Sequence, residues 1–182
     1  MQFFYLLFSY LLGTCMTAYF VGKWKGVNLQ QENTGNLGAR NAGRSLGKIA
    51  FFLTVLGDGG KGIVTVLIGR CLGFNDFWVT VGILFVVMGH LYPFWLRFKG
   101  GKGIATGIGA LLTFSPLLLL SFLGGLILSL PFTKSLTISM ILGFFTYSMT
   151  ILLIGRYELV VLIVMLVLLT IEHRQNIMER VK

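Results

Sequence analysis

The sequence predicts an all-α integral membrane protein, a bundle of about seven transmembrane helices of which some are short or broken. Hydrophobic residues make up 55% of the chain and charged residues 12%, and the mean hydropathy is +0.85. These values exceed what a soluble domain can bury. Several apolar stretches have about 20 residues, the length a helix needs to cross the roughly 30 Å of hydrocarbon. Runs such as 117–120 and 160–164 show no alternation, which favours helices over a barrel.

We predict that residues 1–182 form a single transmembrane domain with seven apolar helices. The fourth stretch is too short for a full crossing unless its helix is broken, re-entrant or sheltered by neighbours, and Pro116 marks its end. A count of five spans therefore stays open, and either count leaves the C-terminus on the same side. The predicted spans are 3–22, 49–70, 76–96, 104–115, 117–131, 136–154 and 157–172.

Positive charge predicts the orientation, because Lys and Arg accumulate in cytoplasmic loops. With the N-terminus outside and the C-terminus in the cytoplasm, only Arg70 and Arg156 face outward, and Lys61 falls within a span. The first stretch is expected to stay as a span and not to be cleaved as a signal peptide, since no basic segment precedes it. The remaining Lys and Arg all face the cytoplasm: Lys23, Lys25, Arg40, Arg44, Lys48, Arg97, Lys99, Lys102, Lys134, Arg174, Arg180 and Lys182.

The first cytoplasmic loop, residues 31–48, has the composition of a phosphate-binding segment. Glycines permit positive φ and a close approach of backbone N–H groups to an anion. Arg44, and also Arg40, offers a planar guanidinium suited to bidentate phosphate contact. A flexible glycine-rich connection with solvated arginines is an equally weighted alternative. The loop interleaves its charges with Asn33, Gly35, Asn36, Gly38, Asn41, Gly43 and Gly47.

Asp58 and Lys61 lie within the second predicted span, three residues apart and therefore on one helical face. Ionisable groups in hydrocarbon are costly, which makes both of them candidates for function. The alternative, an ion pair that ties helices together, has equal weight.

A second cationic and glycine-rich loop, residues 97–106, separates two long apolar stretches. It contains Arg97, Lys99 and Lys102 together with Gly100, Gly101 and Gly103. Such a loop at a membrane surface is expected to bind an anion. By itself it would suit a transporter, a lipid clamp or an enzyme.

The two histidines have different surroundings in the sequence. His90 approaches the cytoplasmic end of the third span, where a lone histidine is more often a hydrogen-bonded packing residue than a catalyst. His173 leaves the last span beside Arg174, with Asn176 three residues on. That group could bind phosphate or orient a hydroxyl, although a solvated end of a membrane helix is the plain alternative.

Several classes of function are disfavoured. The net charge of +9 comes without a soluble domain or aromatic stacking platforms, so we expect no nucleic-acid partner. The scattered His and Cys residues predict neither a metal site nor a cofactor, and Cys15 and Cys71 are expected to be buried free thiols. No Ser/His/Asp grouping or Gly-x-Ser-x-Gly elbow can be identified, so catalysis would depend on positioning and on neutralising phosphate charge.

Together the polar segments resemble the bacterial membrane-bound acyl-phosphate:glycerol-3-phosphate acyltransferases. The resemblance runs along essentially the whole chain, and its central block, residues 98–106, is highly specific. The other matching segments are Tyr10 to Gly13, Gly35 to Ala39 with Asn41 and Arg44, Asp58 with Lys61 and Gly62, Gly89 to Pro93, and His173 to Ile177.

This resemblance implies transfer of a fatty acyl group from acyl phosphate to the 1-hydroxyl of glycerol 3-phosphate, which gives lysophosphatidate and phosphate. It also implies seven helices, a cytoplasmic site, contact with membrane lipid and a multi-pass location in the bacterial cytoplasmic membrane. By position the catalytic residues are Thr34, Arg44, Lys102, His173 and Asn176. The expected substrate- or phosphate-binding residues are Gly35, Asn36, Gly38, Arg40, Asn41, Lys61, Gly100, Gly101 and Gly103.

Two positions depart from the family pattern. Thr34 stands where the family has a functional serine, and its extra methyl group stiffens χ1. Arg40 replaces a small hydroxyl residue with a long cation, which could tighten anion binding or fill part of the acceptor pocket. A divergent member that binds acyl phosphate or phospholipid, or uses another acceptor, is the first alternative to the acyltransferase. The second is a transporter of phosphorylated metabolites, for which the spans offer few polar side chains to line a path.

Overall fold

The computed structural model describes residues 1–174, and over that range it consists of nine α-helices and two short 3-10 helices. The predicted all-α class is confirmed. The α-helices are α1 (Gln2–Thr14), α2 (Thr17–Trp24), α3 (Ala39–Leu46), α4 (Lys48–Cys71), α5 (Asp76–Leu91), α6 (Ile104–Phe114), α7 (Pro116–Thr133), α8 (Leu136–Leu153) and α9 (Val160–Glu172). The 3-10 helices are Phe94–Leu96 and Tyr157–Leu159.

Five segments of the described chain are long and apolar enough to cross a membrane, and two further apolar helices are shorter. The short ones are α6 and α9, which correspond to the predicted spans 104–115 and 157–172. All seven predicted stretches are therefore helical, and the chain is a multi-pass membrane protein. The long segments are Gln2–Trp24, Lys48–Cys71, Asp76–Leu96, Pro116–Thr133 and Leu136–Leu153.

The first span is broken, whereas the sequence predicts a continuous helix over 3–22. Cys15 and Met16 have extended backbones with ψ of 97° and 98°, so α1 ends at Thr14 and α2 begins at Thr17. The break leaves carbonyl groups at the end of α1 without partners in the next turn. Side chains from distant parts of the chain donate hydrogen bonds to these carbonyls. Local sequence periodicity does not reveal the break, because the residues that stabilise it lie elsewhere in the sequence.

The described chain separates into two compact units, Met1–Ala110 and residues 111–174, with the boundary inside α6. In the first unit α1 packs on α5, and α4 contacts α1, α2, α3 and α5. Glycines allow close helix approaches: a Cβ at Gly89 would lie 3.0 Å from the Gly13 Cα and would overlap the Tyr10 carbonyl oxygen. Small residues permit this kind of contact where lipid supplies no hydrophobic driving force between helices.

The second unit is built around the pairing of α7 with α8. Phe122 and Phe144 stack with ring centroids 5.3 Å apart, and Thr146 Oγ1 donates a 2.8 Å hydrogen bond to the Ser121 carbonyl. On α9 the buried residues are Leu162, Met165, Leu166 and Leu169.

The prediction of buried cysteines is wrong. Cys15 and Cys71 are free thiols, but both are exposed. Cys15 lies in the break between α1 and α2, and Cys71 is the last residue of α4, so neither position faces a packed interior.

Candidate functional site

The loop between α2 and α3 is a succession of tight turns. Asn33 and Gly35 have positive φ values of 46° and 66°, and the Gly35 N–H donates to the Glu32 carbonyl at 2.8 Å. The Asn33 amide donates to the Ser45 hydroxyl at 2.9 Å, which ties this loop to α3. Thr34 stands between the two left-handed residues and is exposed, so its hydroxyl is accessible.

The α3 helix begins at Ala39, immediately after this loop. Its N-cap residue, Gly38, has an extended backbone and supplies no capping side chain. The first backbone N–H groups of a helix have no partner within the helix, and the helix dipole places partial positive charge there. An uncapped helix start beside positive-φ turns is a suitable position for phosphate oxygens.

Arg40 and Arg44 are exposed and lie four residues apart on α3, hence on one face. Two like charges at this spacing repel one another, and an anion held between them relieves that repulsion. The predicted guanidinium ligands are therefore both accessible.

Asn41 differs from its neighbours because its side chain is 2% exposed. Its Nδ2 donates to the Leu29 carbonyl at 2.9 Å, which orients the amide, since a carbonyl can only accept. The Asn41 Oδ1 is buried and has no hydrogen-bond partner in the part of the chain that the structure describes. Asn41 thus fixes α3 to the preceding loop, and its spare atom is an acceptor.

The second glycine-rich loop is predicted over residues 97–106, but its last three residues begin α6, and residues 97–103 fold back on the end of α5. Arg97 and Phe98 both have left-handed backbones, with φ of 54° and 59°, a conformation that costs free energy and persists only where surrounding contacts enforce it. Those contacts are backbone hydrogen bonds of 3.1 Å: Phe98 donates to Pro93, Gly100 to Leu91 and Gly101 to His90.

Gly100 and Gly101 are needed for this fold-back. A Cβ at Gly100 would lie 2.6 Å from the Pro93 ring and 2.7 Å from the Leu91 carbonyl oxygen. A Cβ at Gly101 would lie 2.9 Å from the His90 imidazole Cε1 and would overlap its Nε2. These glycines therefore permit the close packing that presents Lys102, which is partly buried, at the start of α6.

The two loops meet. The Leu37 N–H donates to the Gly100 carbonyl at 3.4 Å, and the Gln30 amide donates to the Lys99 carbonyl at 3.5 Å. Two segments that the sequence marks separately as anion sites, more than sixty residues apart, thus form one adjoining surface. Gln30 has no part in the predicted site, and nothing in its sequence context distinguishes it.

A polar cluster lies buried beneath the second loop. Lys61 Nζ donates to the carbonyls of Gly13 and Cys15 at 2.7 and 2.9 Å and lies 3.4 Å from Asp58 Oδ1. The predicted pairing of Asp58 with Lys61 is confirmed. The ammonium group donates hydrogen bonds to two carbonyls and forms an ion pair with Asp58, which is what a pair that ties helices together requires.

His90 joins this cluster. Its Nδ1 lies 3.7 Å from Asp58 Oδ1 and 3.4 Å from the Thr106 hydroxyl, and the side chain is buried. The prediction of a hydrogen-bonded packing histidine is confirmed. Thr106, one turn into α6, is a contact that sequence reasoning missed, because a threonine near a helix start has many local roles.

Trp95 also donates a hydrogen bond at the break between α1 and α2. Its indole Nε1 donates to the Thr14 carbonyl at 3.1 Å, next to the two carbonyls that Lys61 binds. Three successive peptide groups at the break, Gly13 to Cys15, are thereby satisfied by two distant side chains. The sequence signal for the break was the unexplained charge at Lys61.

His173 belongs to the second unit and follows the last turn of α9. Its Nδ1 lies 2.8 Å from the Leu169 carbonyl oxygen, and because a carbonyl can only accept, Nδ1 carries the hydrogen of this contact. Asn176, its predicted companion, lies outside the described residues. Within residues 1–174, no group of three or more His, Cys, Asp or Glu side chains is arranged to hold a metal ion.

Comparison with known proteins gives a consistent result. A family model described as glycerol-3-phosphate acyltransferase matches residues 3–182. The chain is 46% identical over 139 residues to glycerol-3-phosphate acyltransferase 1 of Bacillus anthracis, covering 75% of this chain and 73% of that protein.

Two solved structures are similar to this one. Both are crystal structures of PlsY, an integral membrane glycerol 3-phosphate acyltransferase. The glycerol 3-phosphate form has a TM-score of 0.85 and 31% identity, over 97% of this chain and 90% of that one. The lysophosphatidic acid form has a TM-score of 0.83 and 33% identity, over 97% and 89% of the two chains.

Proposed function

The chain belongs to the glycerol-3-phosphate acyltransferase family, and we propose that its two adjoining glycine-rich loops hold the phosphate groups of the substrates. The protein is a membrane enzyme that transfers a fatty acyl group from acyl phosphate to the 1-hydroxyl of glycerol 3-phosphate, a step of phospholipid synthesis. The proposal depends on the hydrogen bond between Leu37 and Gly100, which joins the loop between α2 and α3 to the loop that presents Lys102.

Phosphate binding uses three kinds of donor on this surface. The uncapped start of α3, after Gly38, offers backbone N–H groups, with the turn glycine Gly35 and the side chain of Asn36 beside it. Arg44 supplies a planar fork, and Arg40 lies one turn away on the same face. Lys102 supplies a compact positive charge from the second loop. Acyl phosphate and glycerol 3-phosphate each bring one phosphate group to this array.

The reaction then needs little from the protein beyond alignment. The 1-hydroxyl oxygen attacks the acyl carbon, the bond from that carbon to the phosphate oxygen breaks, and the hydroxyl proton passes to the departing phosphate. Because the leaving group is already activated, no strong general base is required. The cations stabilise the negative charge that develops on the carbonyl oxygen and the phosphate.

Thr34, His173 and Asn176 are proposed to act on the reacting groups. The Thr34 hydroxyl is exposed on the first loop and can donate a hydrogen bond to the carbonyl or phosphate oxygens. The His173 ring is held by its Nδ1 contact with the Leu169 carbonyl, and its position in the sequence assigns it to orient a hydroxyl. Asn176 is assigned by its position in the sequence alone.

Asn41 is proposed to contact a hydroxyl group and not a phosphate. Its Nδ2 is already bound to Leu29, and the remaining Oδ1 is an acceptor, which a phosphate oxygen would repel. A hydroxyl of the glycerol acceptor has the complementary donor.

We further propose the topology that the positive charges predict: seven spans, the N-terminus outside, the C-terminus in the cytoplasm, and one functional domain in the bacterial cytoplasmic membrane. This orientation brings both cationic loops to the cytoplasmic side, where glycerol 3-phosphate is dissolved. Acyl phosphate reaches the site from the membrane. Membrane lipid is therefore the remaining expected partner of the protein.

The test is phosphate release by the purified protein in lipid or detergent, supplied with acyl phosphate in the presence or absence of glycerol 3-phosphate. We expect acceptor-dependent release, lowered at least about tenfold by Arg44→Ala because a charge-assisted contact to phosphate is lost. His173→Ala should also lower it. Lys25→Ala removes an exposed cation that packs on Trp24, and it serves as the matched control.

Two results would contradict the proposal. Acyl phosphate binding without acceptor-dependent release would argue for a divergent binding protein. Equal rates for Arg44→Ala and Lys25→Ala would remove Arg44 from the phosphate site.

A further inference from the structure

The loop that presents Lys102 is contacted on both sides of that residue by a single residue, His90, through its backbone carbonyl and its imidazole ring. On one side, the Gly101 N–H donates to the His90 carbonyl at 3.1 Å. On the other side, the Thr106 hydroxyl lies 3.4 Å from the His90 Nδ1. Four residues of chain, including Lys102, therefore lie between two contacts with one buried histidine.

The His90 ring is itself fixed from below. Asp58 Oδ1 lies 3.7 Å from Nδ1, and on the opposite edge the imidazole Nε2 packs so closely against Gly101 that a Cβ there would overlap it. The ring therefore lies between the Asp58 carboxylate and the Gly101 backbone, with little room to move toward either.

The carboxylate is fixed in turn by Lys61, which is anchored to the broken first helix. Lys61 Nζ reaches Asp58 at 3.4 Å while it donates to the Gly13 and Cys15 carbonyls. Asp58, Lys61 and His90 are 2%, 5% and 3% exposed. Partners of this kind in a dry interior hold one geometry, because leaving either charge unpaired is costly.

We propose that the Asp58, Lys61 and His90 network is a positioning device for the phosphate-binding loop. Lys61 clamps the break between α1 and α2, Asp58 transmits that anchor to the His90 ring, and His90 sets the place of Lys102 through Gly101 and Thr106. All three side chains are buried, and this role replaces the direct phosphate contact expected for Lys61 from the resemblance. The proposal rests on the proposed function only in assigning a phosphate to Lys102.

The test compares three variants at these positions. His90→Leu removes the ring nitrogen that faces Asp58 and Thr106, whereas His90→Asn keeps an amide group at the position of Nδ1. Asp58→Asn removes the charge below the ring with little change of shape. The matched control is Thr80→Val on α5, a buried residue whose hydroxyl donates only to Phe77 in the preceding turn.

Two readouts separate positioning from a general loss of stability. Hydrogen exchange should rise in peptides covering residues 97–103 for His90→Leu and Asp58→Asn, and it should stay unchanged for Thr80→Val. The KM for at least one phosphate substrate should rise about ten- to a hundredfold, since small misplacements of a binding group have effects of that size, while kcat changes much less. His90→Asn should recover most of both changes.

Coupling gives a further check. If Asp58 acts through His90, the double variant Asp58→Asn/His90→Leu should be no worse than the poorer single variant. Additive effects on KM would overturn the proposal, and so would unchanged exchange in residues 97–103 or equal defects for the Leu and Asn variants. If His90→Leu does not accumulate as a folded protein, Asp58→Asn and His90→Asn decide by the same readouts.

The outcome is separable from that of the proposed function. A wild-type protein without acceptor-dependent phosphate release contradicts the acyltransferase activity, whereas the exchange measurement still tests whether His90 holds the loop. If the wild-type protein is active but hydrogen exchange in residues 97–103 does not change in the His90 and Asp58 variants, the positioning role is contradicted and the acyltransferase activity is not.

Discussion

Arg40 is the larger of the two departures that the sequence resemblance implies. It is exposed in the first turn of α3, on the same face as Arg44. A long cation at this place adds to the positive field at the helix start. The exposure of the side chain favours a phosphate contact over a plug in the acceptor pocket.

For Arg40→Thr we therefore expect weaker binding of a phosphate substrate. The KM should rise about two- to fivefold with kcat unchanged, the size of effect expected for an exposed charge. Steady-state kinetics with each substrate varied in turn measures this, and the difference from wild type should shrink at high salt. A fall in KM would instead show that the Arg40 side chain obstructs the acceptor.

At the scale of elements, α4 approaches α6 closely because Gly62 of α4 has no side chain at the point of contact. A Cβ at Gly62 would lie 2.8 Å from the Ala110 nitrogen and would overlap the Thr106 carbonyl, whereas a Cβ at Gly60 meets no atom within 4 Å. Both glycines lie inside α4, so they share the same intrinsic cost to the helix.

This pair makes a matched comparison of stability. Gly62→Ala should destabilise the protein by about 1–3 kcal/mol, because the added methyl group forces α4 and α6 apart. Gly60→Ala should be neutral or stabilising by about 0.5–1 kcal/mol through its higher helix propensity. Thermal unfolding in detergent measures both, and equal melting temperatures for the two variants would contradict the close packing of α4 on α6.

At the scale of the whole molecule, the number of crossings is decided by Lys134, between α7 and α8. With seven spans and the N-terminus outside, this residue faces the cytoplasm. With five spans it faces the opposite side. The two counts agree about Lys25 and Leu72, which makes those positions suitable references.

We expect Lys134→Cys to be labelled from the cytoplasmic side, as Lys25→Cys is, while Leu72→Cys is labelled from outside. The measurement uses a membrane-impermeant thiol reagent on oriented vesicles, in a background where the exposed Cys15 and Cys71 are replaced by alanine. Labelling of Lys134→Cys together with Leu72→Cys would establish the five-span arrangement instead.

The sequence by itself determined the membrane class and the apolar stretches that form helices, and it indicated the two glycine-rich loops that we propose to bind phosphate. These follow from local composition: a span is recognised by its length and apolar residues, and a phosphate loop by glycines next to Arg44 or Lys102. The charge at Lys61 also indicated a buried partner, which Asp58 supplied.

Only the tertiary structure decided where the first helix breaks, that the two loops adjoin, and that His90 contacts residues on both sides of Lys102. Each of these depends on residues far apart in the chain, such as Lys61 with Gly13 or Leu37 with Gly100. Backbone groups freed at a helix break must be satisfied inside the protein, and which distant side chain satisfies them depends on packing. Local sequence patterns therefore do not predict which side chain binds these backbone groups.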